Sequence, residues 1–93
     1  MAQKTVMDPP YVAKLLAALR KGIPRAQVDH EQVRRDRYRF IVVSAKFDRL
    51  GHPERQRLVW DIANKALNNA DLIKVAMIIT LSRKEFVSNN SGN

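Results

Sequence analysis

Hydrophobic and polar positions change their period several times along the chain, and each period predicts an element. Val12, Leu15, Leu16 and Leu19 recur at i, i+3, i+4 and i+7, which makes one apolar stripe of a helix. Pro9 and Pro10 can open that helix but not continue it. Arg20 and Lys21 complement its negative end, and Gly22 with Pro24 stops it, so it runs from about Pro10 to Lys21. Ala26 to Glu31 alternates as a first strand, and Gln32 to Arg37 is polar enough to be the turn that follows. Tyr38, Phe40 and Val42 then alternate with Arg39, Ile41 and Val43 in a β-branched and aromatic run, which reads as a half-buried strand.

Phe47 to His52 is a short turn or a single helical turn, because Gly51 breaks regularity and Pro53 suits the first turn of the next helix. In that longest helix Leu58, Val59, Ile62, Ala63, Ala66 and Leu67 form two adjacent ridges, with Arg57, Asp61, Asn64, Lys65 and Asn68 opposite. Trp60 falls within the apolar pattern and reads as packing. Val75, Met77, Ile79 and Leu81 alternate with Ala76, Ile78 and Thr80, and both sets are apolar. That pattern predicts a last strand inside the sheet, with Met77 in the core. Ser88 to Asn93 holds only Ser, Asn and Gly, so it has nothing to bury and is expected to be mobile.

The predicted order is helix, strand, strand, short helix or turn, long helix, strand. Such an order implies an α+β sandwich in which helices cover one face of a three-stranded mixed sheet. Ninety-three residues suit one domain with one core. We place a flexible segment at 1–8, the domain at 9–87 and a flexible tail at 88–93.

Composition narrows the function classes. The absence of cysteine excludes disulfides, thiolate zinc sites and a cysteine nucleophile. No apolar run approaches the roughly eighteen residues needed to span a bilayer, and no targeting segment is visible, so a cytoplasmic protein without membrane attachment is expected. Seventeen Lys and Arg against nine Asp and Glu give a net charge of +8, which favours an anionic partner.

Val42-Val43-Ser44, Phe47, Arg55-Gln56-Arg57 at the start of the long helix, and Glu85-Phe86 after the last strand together resemble the BolA family. The resemblance extends from about Val12 to Phe86. It implies a fold related to the class II KH arrangement, with a regulatory role in transcription or stress response. It also implies an iron-sulfur cluster shared with a monothiol glutaredoxin, ligated by a histidine just before the last strand. Counting back from Glu85, that position is Lys74, and Gln56 stands where the family has the central histidine of Arg-His-Arg. A lysine ammonium offers no lone pair to iron, whereas His30, near the hairpin turn, occupies a region where some family members supply a second ligand. His30 and Lys74 are therefore the partner-facing residues of an adaptor reading, with no intrinsic cofactor or metal expected. A lone imidazole is more simply a solvated residue entering the turn.

Enzyme chemistry has little to stand on. Neither His30 nor His52 belongs to a nucleophile-base-acid constellation, and Asp29, Glu31, Glu54 and Asp61 lack a motif that assigns them proton transfer. Gly51-His52-Pro53-Glu54 lacks the second glycine of a KH-type GxxG loop. The arginines are more suggestive, because planar guanidinium groups suit phosphate. Lys46, Arg49, Arg55, Arg57 and Lys74, with Arg34 and Arg35 at the hairpin, are the nominated contacts for DNA or RNA. Asp36, Asp48 and Glu54 interrupt the charge, and Arg55 or Arg57 could instead brace the turn.

Overall fold

The alternating run around Phe40 forms the central strand of the sheet, flanked on both sides. The computed structural model describes residues 8–91; the expected flexibility of residues 1–7 and 92–93 concerns positions outside that range. The elements are α1 (Pro10–Gly22), β1 (Gln27–Arg34), β2 (Arg37–Val43), a 3-10 turn (Ala45–Arg49), α2 (His52–Ala66), a four-residue α3 (Asn69–Leu72), β3 (Val75–Leu81) and α4 (Arg83–Ser91). The sheet order is β1-β2-β3, with β1 antiparallel and β3 parallel to β2. The expected α+β sandwich with a mixed three-stranded sheet is what the chain forms.

Val28, Tyr38, Phe40, Val42 and Ile78 meet Val12, Leu15 and Leu19 of α1 and Val59 and Ala63 of α2 in one core, with Phe47 beneath them. Leu16, Leu58, Trp60 and Ile62 pack partly buried against it. The two long helices approach closely at Gly22, where an added Cβ would lie 2.6 Å from Ile62 Cδ1. Hydrogen at this position lets the end of α1 seat on α2. A two-residue turn joins β1 to β2, with Asp36 at φ 62°, a left-handed conformation that Asp tolerates better than most residues.

Two expectations fail. The last strand is an edge strand rather than an interior one, and Met77 is 47% exposed while Ile78 is 2% exposed. Met77 turns outward because of a register shift: Tyr38 pairs with Val75 but Arg39 pairs with Met77, leaving Ala76 as an extra residue. A bulge of one residue moves the following alternation to the other face, so Ile78 and Thr80 point into the core. The second difference is α4, which continues the chain as helix to Ser91 where the composition gave a tail from Ser88. Its start is fixed by a reciprocal capping box. The Glu85 backbone N–H donates to Ser82 Oγ at 3.1 Å, and the Ser82 N–H donates to Glu85 Oε1 at 2.8 Å.

Candidate nucleic-acid interface

Because β2 and β3 run parallel, the chain collects residues at two ends of the sheet. The hairpin turn, the start of α1 and the start of β3 share one end. The 3-10 turn, the start of α2 and the start of α4 share the other. A seven-residue strand separates them by roughly 20 Å. Of the nominated contacts, Arg34, Arg35 and Lys74 belong to the hairpin end, and Lys46, Arg49, Arg55 and Arg57 to the opposite end. They do not form one surface.

Arg55 is a brace. Its side chain is 7% exposed and lies 2.8 Å from Glu85. Nε donates to the Leu50 carbonyl at 2.8 Å, Nη2 donates to the Phe47 carbonyl at 2.8 Å, and the guanidinium lies 5.7 Å from the Phe47 ring centroid. With its donors turned inward, Arg55 is removed from the exposed basic set. It joins the 3-10 turn, α2 and α4. Arg57 follows two positions later, about 200° around the helix, and is exposed. The arginine pair in the sequence therefore divides into one brace and one surface charge.

Gln56, at the position of the family's central histidine, donates to the Ile78 carbonyl at 2.8 Å and accepts from Trp60 Nε1 at 3.1 Å. It ties α2 to the edge strand β3. Around the Arg55 brace stand Lys46, Arg49, Arg83 and Lys84, all exposed. Among the described residues none of these four has a carboxylate within salt-bridge distance, the ion pairs being Asp8–His30, Glu31–Arg39, Arg55–Glu85 and Asp71–Lys74. Arg83 and Lys84 belong to this end because β3 runs parallel to β2 and Leu81, two residues before Arg83, pairs with Val43. Arg55 is also the first cause of the low Glu85 pKa, about 2, with the Ser82 N–H adding to it.

The hairpin end is organised by tyrosines. Tyr11 donates to the Lys74 carbonyl at 3.2 Å, and its ring meets Tyr38 edge-on with centroids 6.2 Å apart. Burial pushes the Tyr11 hydroxyl up to about 12, with nearby Tyr38, Asp36 and Asp71 adding to the shift. Tyr38 donates to Asp8 at 3.1 Å, and its pKa is also raised, by burial first and then by Asp8. His30 is half-buried in β1 rather than solvated in the turn. Its Nε2 is 2.7 Å from Asp8 Oδ2, and its ring stacks 6.3 Å from that of Phe40.

At the position that the resemblance assigns to a cluster ligand, Lys74 does not fit that role. Lys74 Nζ faces Asp71 at 4.0 Å, and an ammonium is no iron ligand. Among the described residues no three His, Cys, Asp or Glu side chains come together as a metal site. No helix among them is long and apolar enough to cross a membrane.

No protein-family model matches the chain, and no curated protein matches it by sequence. Solved structures do. The solution structure of the BolA1 protein from Mus musculus matches with a TM-score of 0.69 at 16% identity, over 98% of this chain and 80% of that one. The crystal structure of a Bol-like protein from Babesia bovis matches with a TM-score of 0.54 at 18% identity, over 96% of this chain and 99% of that one. The order of elements, the mixed sheet and these superpositions lead to one conclusion: the chain has the BolA-like fold.

Proposed function

We propose that this BolA-fold domain is a non-enzymatic module that binds the phosphate backbone of nucleic acid through the end bearing Lys46, Arg49, Arg83 and Lys84, with Arg57 beside it on α2. The observation that carries the reading is the Arg55–Glu85 brace, 2.8 Å long, which fixes the segments bearing these cations, none of them ion-paired among the described residues, at one end of the domain. Exposed cations held by a rigid frame neutralise phosphates without first losing their own partners. A net charge of +8 supplies the long-range attraction.

Arg34, Arg35 and Lys74 would meet a second stretch of the same polymer at most, since they stand at the other end. A regulatory role in transcription or stress response, within the cytoplasm, is the use that the resemblance suggests for such binding. Anisotropy titration of labelled DNA and RNA at rising salt tests the proposal. Weak binding that fades steeply with salt is the expected result. Absence of binding at low salt, with capture of a monothiol glutaredoxin instead, would replace it with the adaptor reading.

A further inference from the structure

Beside the basic end lies a groove between the start of β1, the end of β2 and α4, lined by Arg25, Gln27, Val43, Arg83, Phe86 and Val87. Its composition is mixed: the side chains of Arg25 and Arg83 share it with the apolar Val43, Phe86 and Val87. Val43 is buried but lies outside the main core cluster, and Val87 is 60% exposed. A phosphate backbone alone has no use for those apolar side chains.

Arg25 is held in an unusual conformation. Pro24 and Arg25 occupy the middle of a turn closed by the Ala26 N–H donating to the Ile23 carbonyl at 3.1 Å, and Arg25 has φ 71°. Glycine is the residue that adopts this conformation without cost. An arginine there stores strain, and strain of this kind gathers where a side chain serves a ligand.

We infer that this groove receives an unstacked base of a single-stranded nucleic acid, with Arg25 and Arg83 holding the flanking phosphates. The inference rests on the phosphate-binding reading above and specifies its ligand. Arg83 belongs both to the groove and to the basic end, so a strand whose phosphates lie along Lys46, Arg49 and Lys84 is continuous with it. An aromatic or apolar surface accepts a base only when the base leaves its stack, and sequence-tolerant stacking combined with backbone cations is how single strands are bound. Bases of an intact duplex stay in their stack, out of the groove's reach.

The experiment compares labelled dT12, U12 and a 12-base-pair DNA duplex, by anisotropy at one low salt concentration, on wild type, Arg25→Gly, Phe86→Leu and Lys46→Gln/Arg49→Gln. The expected result is tighter binding of the single strands than of the duplex. Arg25→Gly and Phe86→Leu should each weaken single-strand binding about fivefold or more, with much smaller effects on the duplex. Arg25→Gly should melt no lower than wild type, since glycine relieves the strain, which separates loss of contact from loss of fold. Equal affinity for single strands and duplex, with Arg25→Gly and Phe86→Leu unchanged and Lys46→Gln/Arg49→Gln weakened, would overturn the groove and leave the basic end standing. Failure of wild type to bind any of the three would overturn both. Binding of an Asp- and Glu-rich peptide at the groove in preference to dT12 and U12 would also refute the base-binding assignment.

Discussion

One oxygen of Glu85 accepts two hydrogen bonds of 2.8 Å, from the Arg55 guanidinium and from the Ser82 backbone N–H. The carboxylate thus caps α4 and anchors α2 in the same contact. The neighbouring segments around Phe47 and Arg55 and the distant one around Glu85 depend on that pair for their mutual position.

Removing Arg55 should therefore cost stability rather than surface charge alone. Arg55→Gln leaves the Leu50 carbonyl without its donor, an orphaned group that costs about 1 to 3 kcal/mol, and takes from the Phe47 carbonyl one of two donors, the Leu50 N–H remaining at 3.1 Å. Glu85, with 42% of its side chain exposed, can turn to water and limits the total to about 2 to 4 kcal/mol. Arg57→Gln, on the solvent side of α2, should stay within about 0.5 kcal/mol. Urea denaturation of the two single variants measures both, and equal effects would contradict the brace.

Acid should act through the same contact. The Glu85 pKa is lowered from 4.5 to about 2, chiefly by Arg55, so on acidification the unfolded chain takes up this proton before the folded one. The stabilisation is complete above about pH 4.5 and is lost as pH falls towards about 2. Glu85→Gln should flatten this part of the stability profile. An unchanged acid limb in the variant would contradict the pairing.

At the other end the sign reverses. Burial lifts Tyr11 from 10.0 to about 12, so its contribution is whole below about pH 10 and falls as pH rises through about 12. Tyr11→Phe should remove this alkaline dependence and, by leaving the Lys74 and Asp36 carbonyls without its hydroxyl, cost about 0.5 to 1.5 kcal/mol at neutral pH. Thermal melts of both proteins from neutral to alkaline pH make the comparison.

The bulge in β3 gives a pair of opposite expectations. Ile78→Ala should cost about 2 to 5 kcal/mol as a buried truncation, and Met77→Thr should change stability by no more than about 0.5 kcal/mol. The reverse ranking in denaturant titrations would restore the unshifted register.

That register was not legible in hydropathy, because residues on both faces of β3 are apolar and nothing marks Ala76 as the extra one. The first helix, the central strand and the long helix were legible because their apolar spacing is unambiguous. The Ser82-x-x-Glu85 cap was a readable signal for α4, hidden by the polar composition that follows it. Arg55 was ambiguous in kind: charged side chains on a helix usually face water, and only the positions of the Phe47 and Leu50 carbonyls and Glu85 decide that this one does not. Sequence proximity grouped Arg55 with Arg57, while the fold separates them and brings in Arg83 and Lys84.

The phosphate-binding claim is tested most directly by the salt dependence of duplex DNA affinity for wild type and for Lys46→Gln/Arg49→Gln/Lys84→Gln. Each phosphate neutralised contributes about 0.9 to the slope of log K against log salt. Wild type is expected to show a slope of about −3 to −5, and the triple variant, folded and equally stable, a slope shallower by about 2 to 3. A folded triple variant with the wild-type affinity and slope would contradict the assignment of these cations to the phosphate backbone.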